Sequence, residues 1–167
     1  VENSGEVTVF YGGEGGIRTD NPLRINKFQE EVDGDPQGYE QFGQALEIGD
    51  FNLDGIDDLA IGITGEHHPN NGDQIGAVMI FFGSDEGITL EGERLFQQGF
   101  DSVTGLPEHD DQFGAALAVG DFDDNGTADL AIGSPGEGVG QVAWAGAVSI
   151  LYSFEDNDGL SGNGDQM

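Results

Sequence analysis

Cysteine is absent from the 167 residues, which removes any disulfide framework or thiolate metal site and is compatible with either redox compartment. Cations are scarce as well. Four Lys+Arg stand against 33 Asp+Glu, a formal net charge of −29, so the chain lacks the basic footprint that phosphate backbones and anionic lipid surfaces require. Neither nucleic acid nor membrane insertion is expected. No apolar run approaches the ~18 residues of a membrane span, and the opening VENSGEVTVF has neither the basic nor the apolar region of a signal peptide. If the protein is secreted, this is its mature form. Apolar residues at a 3.6-residue period are also missing, which argues against a helical bundle or solenoid.

What is abundant is glycine, 30 of 167 residues or about 18% against a usual ~7%. The backbone must turn often, so the fold class read here is all-β. An apolar content of 36% beside so large a charge lies near the regime where chains stay disordered. Folding therefore needs something that neutralises carboxylates.

Internal repetition organises the rest. QFGQALEIGDFNLDGIDDLAIG at residues 41–62 returns as QFGAALAVGDFDDNGTADLAIG at 112–133, an offset of 71 without a gap. A second element follows each copy, GAVMIFFGSDEGI from Gly76 and GAVSILYSFEDNDGL from Gly146, and a third version, GEVTVFYGGEGGI, opens at Gly5. The unit is about 71 residues and the chain holds about 2.4 of them. Residues 1–34 read as the last strands of a partial unit, 35–105 as one full repeat, and 106–167 as a second repeat truncated in its outer strand. Each repeat offers strands at 42–48 or 113–119, at 59–63 or 130–132, and at 78–82 or 148–152, with a more polar outer strand at 90–98 and its counterpart at 23–30. Near-continuous apolar runs mean strands covered on both faces. Four such strands per repeat describe a β-propeller blade, and 2.4 repeats cannot close a ring of at least four blades. Open faces invite pairing with another chain, so the array is expected either to be cut from a longer one or to be completed by a neighbour.

The acidic loops carry the chemistry. Asp50, Asn52, Asp54 and Asp58 occupy positions 1, 3, 5 and 9 of DFNLDGIDD, with Gly55 at position 6; DFDDNGTAD places Asp121, Asp123, Asn125 and Asp129 likewise, with Gly126 at 6. Alternate side chains of a tight loop converge on one point, glycine allows the positive φ of the turn, and the position-7 carbonyl of Ile56 or Thr127 can turn inward. A ring of hard oxygens suits Ca²⁺ better than the stricter octahedron of Mg²⁺, and zinc lacks His or Cys here. An EF-hand would need an acidic residue at position 12, where Ile61 and Ile132 stand in strands. The alternative, a solvated turn, fits one copy but not two in register.

These residues resemble a known family. Phe42-Gly43 with Asp50 to Asp58 and Gly62, and Phe113-Gly114 with Asp121 to Asp129 and Gly133-Ser134-Pro135, resemble the FG-GAP repeats of the integrin α-chain propeller and its bacterial relatives. The resemblance implies blades of a seven-bladed propeller whose strand–loop–strand elements bind Ca²⁺, with Asp50, Asn52, Asp54, Ile56 and Asp58 in one site and Asp121, Asp123, Asn125, Thr127 and Asp129 in the other. Gly62-Ile63-Thr64 departs from the Gly-Ala-Pro element of the pattern.

Other chemistry reads more weakly. His67-His68 is expected in a polar loop, Gly136 to Gly140 opens no helix and lacks a phosphate-loop lysine, and the sequon Asn125-Gly126-Thr127 competes with a ligand role for Asn125. Trp144, Phe10-Tyr11 and Phe81-Phe82 are expected to pack blades rather than stack sugars. Surplus acids such as Glu30, Glu31, Asp33, Asp35 and Glu155 are expected on solvated faces, with Asp156, Asp158 and Asp165 a weaker candidate for a further ion. No nucleophile-plus-base pair recurs. The reading is a non-catalytic, extracellular calcium-binding adhesion or structural protein, with itself, neighbouring repeats, or a protein or glycan ligand as partners and head-to-tail fibre assembly as one form. The alternative is the accessory propeller of a secreted polysaccharide-active enzyme, and the acidity also fits a saline habitat.

Overall fold

The computed structural model describes residues 4–32, 36–100, 102–154 and 159–166, and among them every regular element is a strand. A partial blade opens the chain: β1 (Val7–Val9) pairs antiparallel with β4 (Leu23–Ile25), and a short hairpin of β2 (Gly12–Gly13) and β3 (Gly16–Ile17) joins them. The first full blade follows as β5 (Phe42–Gly49), β6 (Asp58–Ile63), β7 (Ala77–Phe81) and β8 (Arg94–Phe96), paired in that order. The second is β9 (Ala116–Gly120), β10 (Asp129–Ser134), β11 (Ala147–Phe154) and β12 (Gly159–Gln166). Two four-stranded antiparallel meanders and a two-stranded remnant, with no closed ring, are the propeller-type architecture expected.

The apolar runs of β6 and β7 are explained by cover on both sides. Every residue of these two strands is buried. Side chains alternate across a sheet, and one set, including Leu59, Ile61, Ile63, Met79 and Phe81, joins Val7 and Ile25 of the partial blade. The other set, Ala60, Val78 and Ile80, clusters with Phe113, Leu130, Ile132 and Leu151 of the second blade. Truncating one of these side chains, Ile61→Ala for example, removes about 2–5 kcal/mol.

The Phe-Gly pairs make the joints. Phe113 N–H donates to the Ile75 carbonyl at 3.0 Å, as Phe42 N–H does to Ser4 at 2.9 Å, so each blade enters alongside the third strand of the one before. Gly114 has φ +91°, and a Cβ there would lie 2.4 Å from the Ala77 carbonyl oxygen. Only glycine fits this approach.

Several expectations differ from the structure. The inner strand β5 alternates rather than being covered on both faces, leaving Leu46 and Ile48 exposed. In the second blade Val148 is 56% exposed where its counterpart Val78 is fully buried, because no further sheet lies on that side among the described residues. The outer strands are shorter than 23–30 and 90–98. The second repeat, read as cut short in its outer strand, carries β12 as a fourth strand on β11, with a register shift between Ile150 and Tyr152. Phe81 packs as expected, but Trp144 precedes β11 in a turn and is exposed, as is Phe10; neither packs a blade.

Candidate metal centres

Both acidic loops are the hairpin connections of the inner two strands, β5 to β6 and β9 to β10. Each is shaped by its own side chains. In the first, Asp50 Oδ1 accepts the Asp54 N–H at 3.1 Å and Oδ2 accepts Gly55 N–H at 2.9 Å, while Asn52 Oδ1 accepts Asp54 N–H at 3.0 Å and Asp54 Oδ1 accepts Ile56 N–H at 2.8 Å. The second repeats this: Asp121 accepts Asn125 and Gly126 N–H at 3.0 and 2.9 Å, Asp123 accepts Asn125 N–H at 3.2 Å, and Asn125 Oδ1 accepts Thr127 N–H at 2.8 Å. Positive φ at Leu53 and Gly55, and at Asp124 and Gly126, closes both coils. The side chains at positions 1, 3 and 5 are thus turned back onto the N–H groups of their own loop.

The ninth-position aspartate is different. Asp58 and Asp129 are fully buried. Asp58 Oδ2 accepts Phe51 N–H and Oδ1 accepts Gly83 N–H, both at 2.8 Å; Asp129 does the same with Phe122 and Ser153 N–H at 2.8 and 2.9 Å. One carboxylate thus ties the start of the loop to the end of the third strand. Burial pushes the Asp58 carboxyl above its usual range, opposed by the N–H groups of Gly83 and Phe51, with the Asp54 charge raising it further. A cation in the loop relieves that repulsion.

Asp121, Asp123 and Asp129 bring ligating oxygens within 4.8 Å of one another, the one such acidic triad among the described residues. The first loop carries Asn52 where the second has Asp123, and its three carboxylates, Asp50, Asp54 and Asp58, are not gathered into such a triad: the structure assembles one acidic cluster where the sequence predicted two equivalent sites. All ten expected residues lie in the two hairpins. The donors are hard oxygens, several with lone pairs left after their N–H bonds, and this set fits Ca²⁺. Asn125 Nδ2 donates to the Ser153 carbonyl at 3.0 Å, and Thr127 Oγ1 bonds both Asn125 Oδ1 and that carbonyl. The sequon nitrogen is thus engaged with β11.

The sequence reading did not single out Gly83 and Ser153, whose N–H groups hold the buried aspartates. The signal was their alignment at the end of the third strand. His67 and His68 lie in a loop, where His68 packs against Phe100 at 5.3 Å. Asp33, Asp35, Glu155, Asp156 and Asp158, and the side chain of Asp165, lie outside the described residues.

Blades of this kind with acidic hairpins define an FG-GAP propeller chain. The FG-GAP repeat family model matches residues 42–81 and 113–151, and the chain carries two FG-GAP repeats. It is 37% identical over 117 residues to phosphatidylinositol-glycan-specific phospholipase D of Rattus norvegicus, covering 70% of this chain and 14% of that protein. Integrin alpha-PS5 of Drosophila melanogaster is 41% identical over 98 residues, 58% of this chain and 9% of that protein, and integrin alpha-5 of Xenopus laevis 33% over 114 residues, 66% and 10%. The chain spans 9% to 14% of the length of these relatives. Among the described residues no helix is long and apolar enough to cross a membrane.

Proposed function

We propose that this chain is a non-catalytic, calcium-stabilised propeller segment that works outside cells in adhesion or surface structure. The observation that carries the reading is the pair of hairpins in one register, with Asp121, Asp123 and Asp129 gathered within 4.8 Å. When bound, calcium supplies the positive charge that three carboxylates in one loop lack. The chain's own part is to hold positions 1, 3 and 5 on loop N–H groups and to lock the loop to the third strand through Asp58 or Asp129. Site formation and hairpin closure are then one event, so ion binding is folding free energy. Millimolar calcium outside cells keeps such sites filled. The expected readout is a thermal midpoint that rises on adding millimolar Ca²⁺ and falls on chelation, with no response to an equal ionic strength of sodium. An equal response to both salts would reduce the acidity to a saline adaptation.

Partners follow from the two uncovered faces. A groove of about 560 Å³ lies beside β1, lined by Val9, Leu46, Ile48 and Leu59. Ala131, Val148 and Ile150 present, on the second blade, the face that the first blade buries. The groove, between β1 and β5, has room for strands that complete the partial blade, and the exposed face of the second blade supports stacking on a further one; neighbouring repeats or another copy would supply either, beside a protein or glycan ligand. Electron microscopy with calcium should show assemblies; uniform small monomers would count against joining through these faces.

A second reading is favoured by the similarity to phospholipase D: the segment is the propeller part of a larger secreted enzyme. That relative's name gives no support to a polysaccharide substrate. Lipid- and glycan-cleavage assays on this chain are expected to stay blank, and turnover in either would overturn the non-catalytic reading.

A further inference from the structure

Each junction between blades buries one side-chain cluster, and the two clusters occupy equivalent positions with unequal charge. At the first, Lys27 is 4% exposed, and its Nζ donates to Glu40 Oε1 at 3.1 Å and to Glu66 Oε2 at 2.7 Å. Seventy-one residues further along stand Gln98, Asp111 and Glu137, all buried. The frame is the same. Gln37 N–H donates to Glu40 Oε1 at 2.9 Å and Glu108 N–H to Asp111 Oδ2 at 2.6 Å; Gly65 N–H donates to the Glu40 carbonyl and Gly136 N–H to that of Asp111. Gln98 Nε2 donates to Glu137 Oε2 at 2.7 Å, in the place of the Lys27 bond to Glu66.

What the second cluster lacks is the cation. Glutamine in place of lysine removes the charge, and aspartate in place of glutamate draws one carboxylate back by a methylene, while both acids remain. Asp111 is fully buried and its Oδ1 has no hydrogen-bond partner among the described residues. Burial pushes the Asp111 carboxyl up to about 6, with the charges of Glu137, Glu108 and Asp110 adding to it. A buried pair of carboxylates without a counter-charge is costly. In the first junction the Lys27 ammonium supplies that counter-charge.

We propose that Gln98, Asp111 and Glu137 form a third cation site, taking a hard divalent ion such as calcium where the first junction places the Lys27 ammonium. This site is separate from the hairpins. Asp111 precedes β9 whereas the hairpin follows it, so the cluster lies at the other end of that strand, and it staples the blades to each other rather than closing a hairpin.

The test is calcium stoichiometry by equilibrium dialysis on the 167-residue chain, comparing wild type with Asp111→Asn and with the double variant Gln98→Lys/Asp111→Glu. The double variant installs the cluster that the first junction already holds, so folding is expected to survive. Wild type should bind three ions and both variants two. Equal stoichiometry in wild type and the double variant would overturn the proposal. The hairpin reading fails differently: Asp121→Ala/Asp123→Ala should lose one equivalent while leaving the difference made by Gln98→Lys/Asp111→Glu intact. If it loses none, the hairpin assignment falls and the junction site is judged on its own difference.

Discussion

Asp58 offers the sharpest test of how the hairpin is held. Its two oxygens each accept a buried backbone N–H at 2.8 Å, from Phe51 and from Gly83. Hydrogen bonds to a charged group contribute about 1.5–3 kcal/mol each, so Asp58→Ala forfeits roughly 3–6 kcal/mol before compensation. Compensation exists, because burial disfavours the carboxylate and holds its pKa above the usual range. The expected net loss therefore sits near the lower bound, about 3 kcal/mol, against a typical total of 5–15 kcal/mol. Asp58→Asn keeps one acceptor and should lose about half as much. Urea unfolding in chelator reads this without the ion: at a slope of about 2 kcal/mol/M, Asp58→Ala should lower the midpoint by about 1.5 M. A variant within ~0.5 kcal/mol of wild type at unchanged slope would refute the reasoning, since surface substitutions cost no more than that. Calcium should also stabilise the variant less than it stabilises wild type.

Other outcomes follow from the same geometry. Gly62→Ala would place a Cβ 2.1 Å from the Gly114 carbonyl oxygen, a backbone atom that cannot yield, whereas the equivalent Cβ at Gly133 meets nothing nearer than 3.4 Å. Thermal unfolding should show Gly62→Ala destabilised by about 1–3 kcal/mol or more and Gly133→Ala nearly neutral; equal effects would mean the blades are not packed at Gly62. In chelator, stability should fall as pH rises. Asp111, raised from 3.8 to about 6, binds its proton more firmly folded than unfolded, so its contribution is complete below about pH 4 and lost through about pH 6. Between pH 5 and 7 this amounts to about 1.3 kcal/mol, Glu66 shifts in the same direction, and Asp111→Asn should flatten the slope. Exchange of backbone amides should be slowest in β6 and β7, where every residue is buried, and faster in β9, which is half-exposed; the reverse order would place the core elsewhere.

The blade and the hairpin chemistry were legible because both are local. Residues 1, 3, 5 and 9 of each loop lie on nine consecutive positions and the unit recurs at 71, so the spacing marks both hairpins, while the structure gathers three carboxylates within 4.8 Å only at Asp121, Asp123 and Asp129 among the described residues. The apolar runs of β6 and β7 announce sheets with two covered faces. Exposure at chain positions of like composition was not legible: Val78 and Val148 occupy the same strand position, and only the presence or absence of a neighbouring sheet separates them. Trp144 misled for the same reason, since an aromatic near a strand says nothing of which side carries cover.

Periodicity by itself determined the strand count per repeat, the hairpins and their oxygen donors, since these depend on residues close in sequence. Tertiary structure alone decided that the ninth aspartate is buried on two N–H groups, one of them, for Asp58, from Gly83, 25 residues away just past β7. It alone brought Lys27 to Glu66 across 39 residues, and gave Glu137 the neutral amide of Gln98 while leaving Asp111 Oδ1 without a hydrogen-bond partner among the described residues. The reason is physical: a charge among 33 acids reads as solvated until the packing of two sheets removes the water from it.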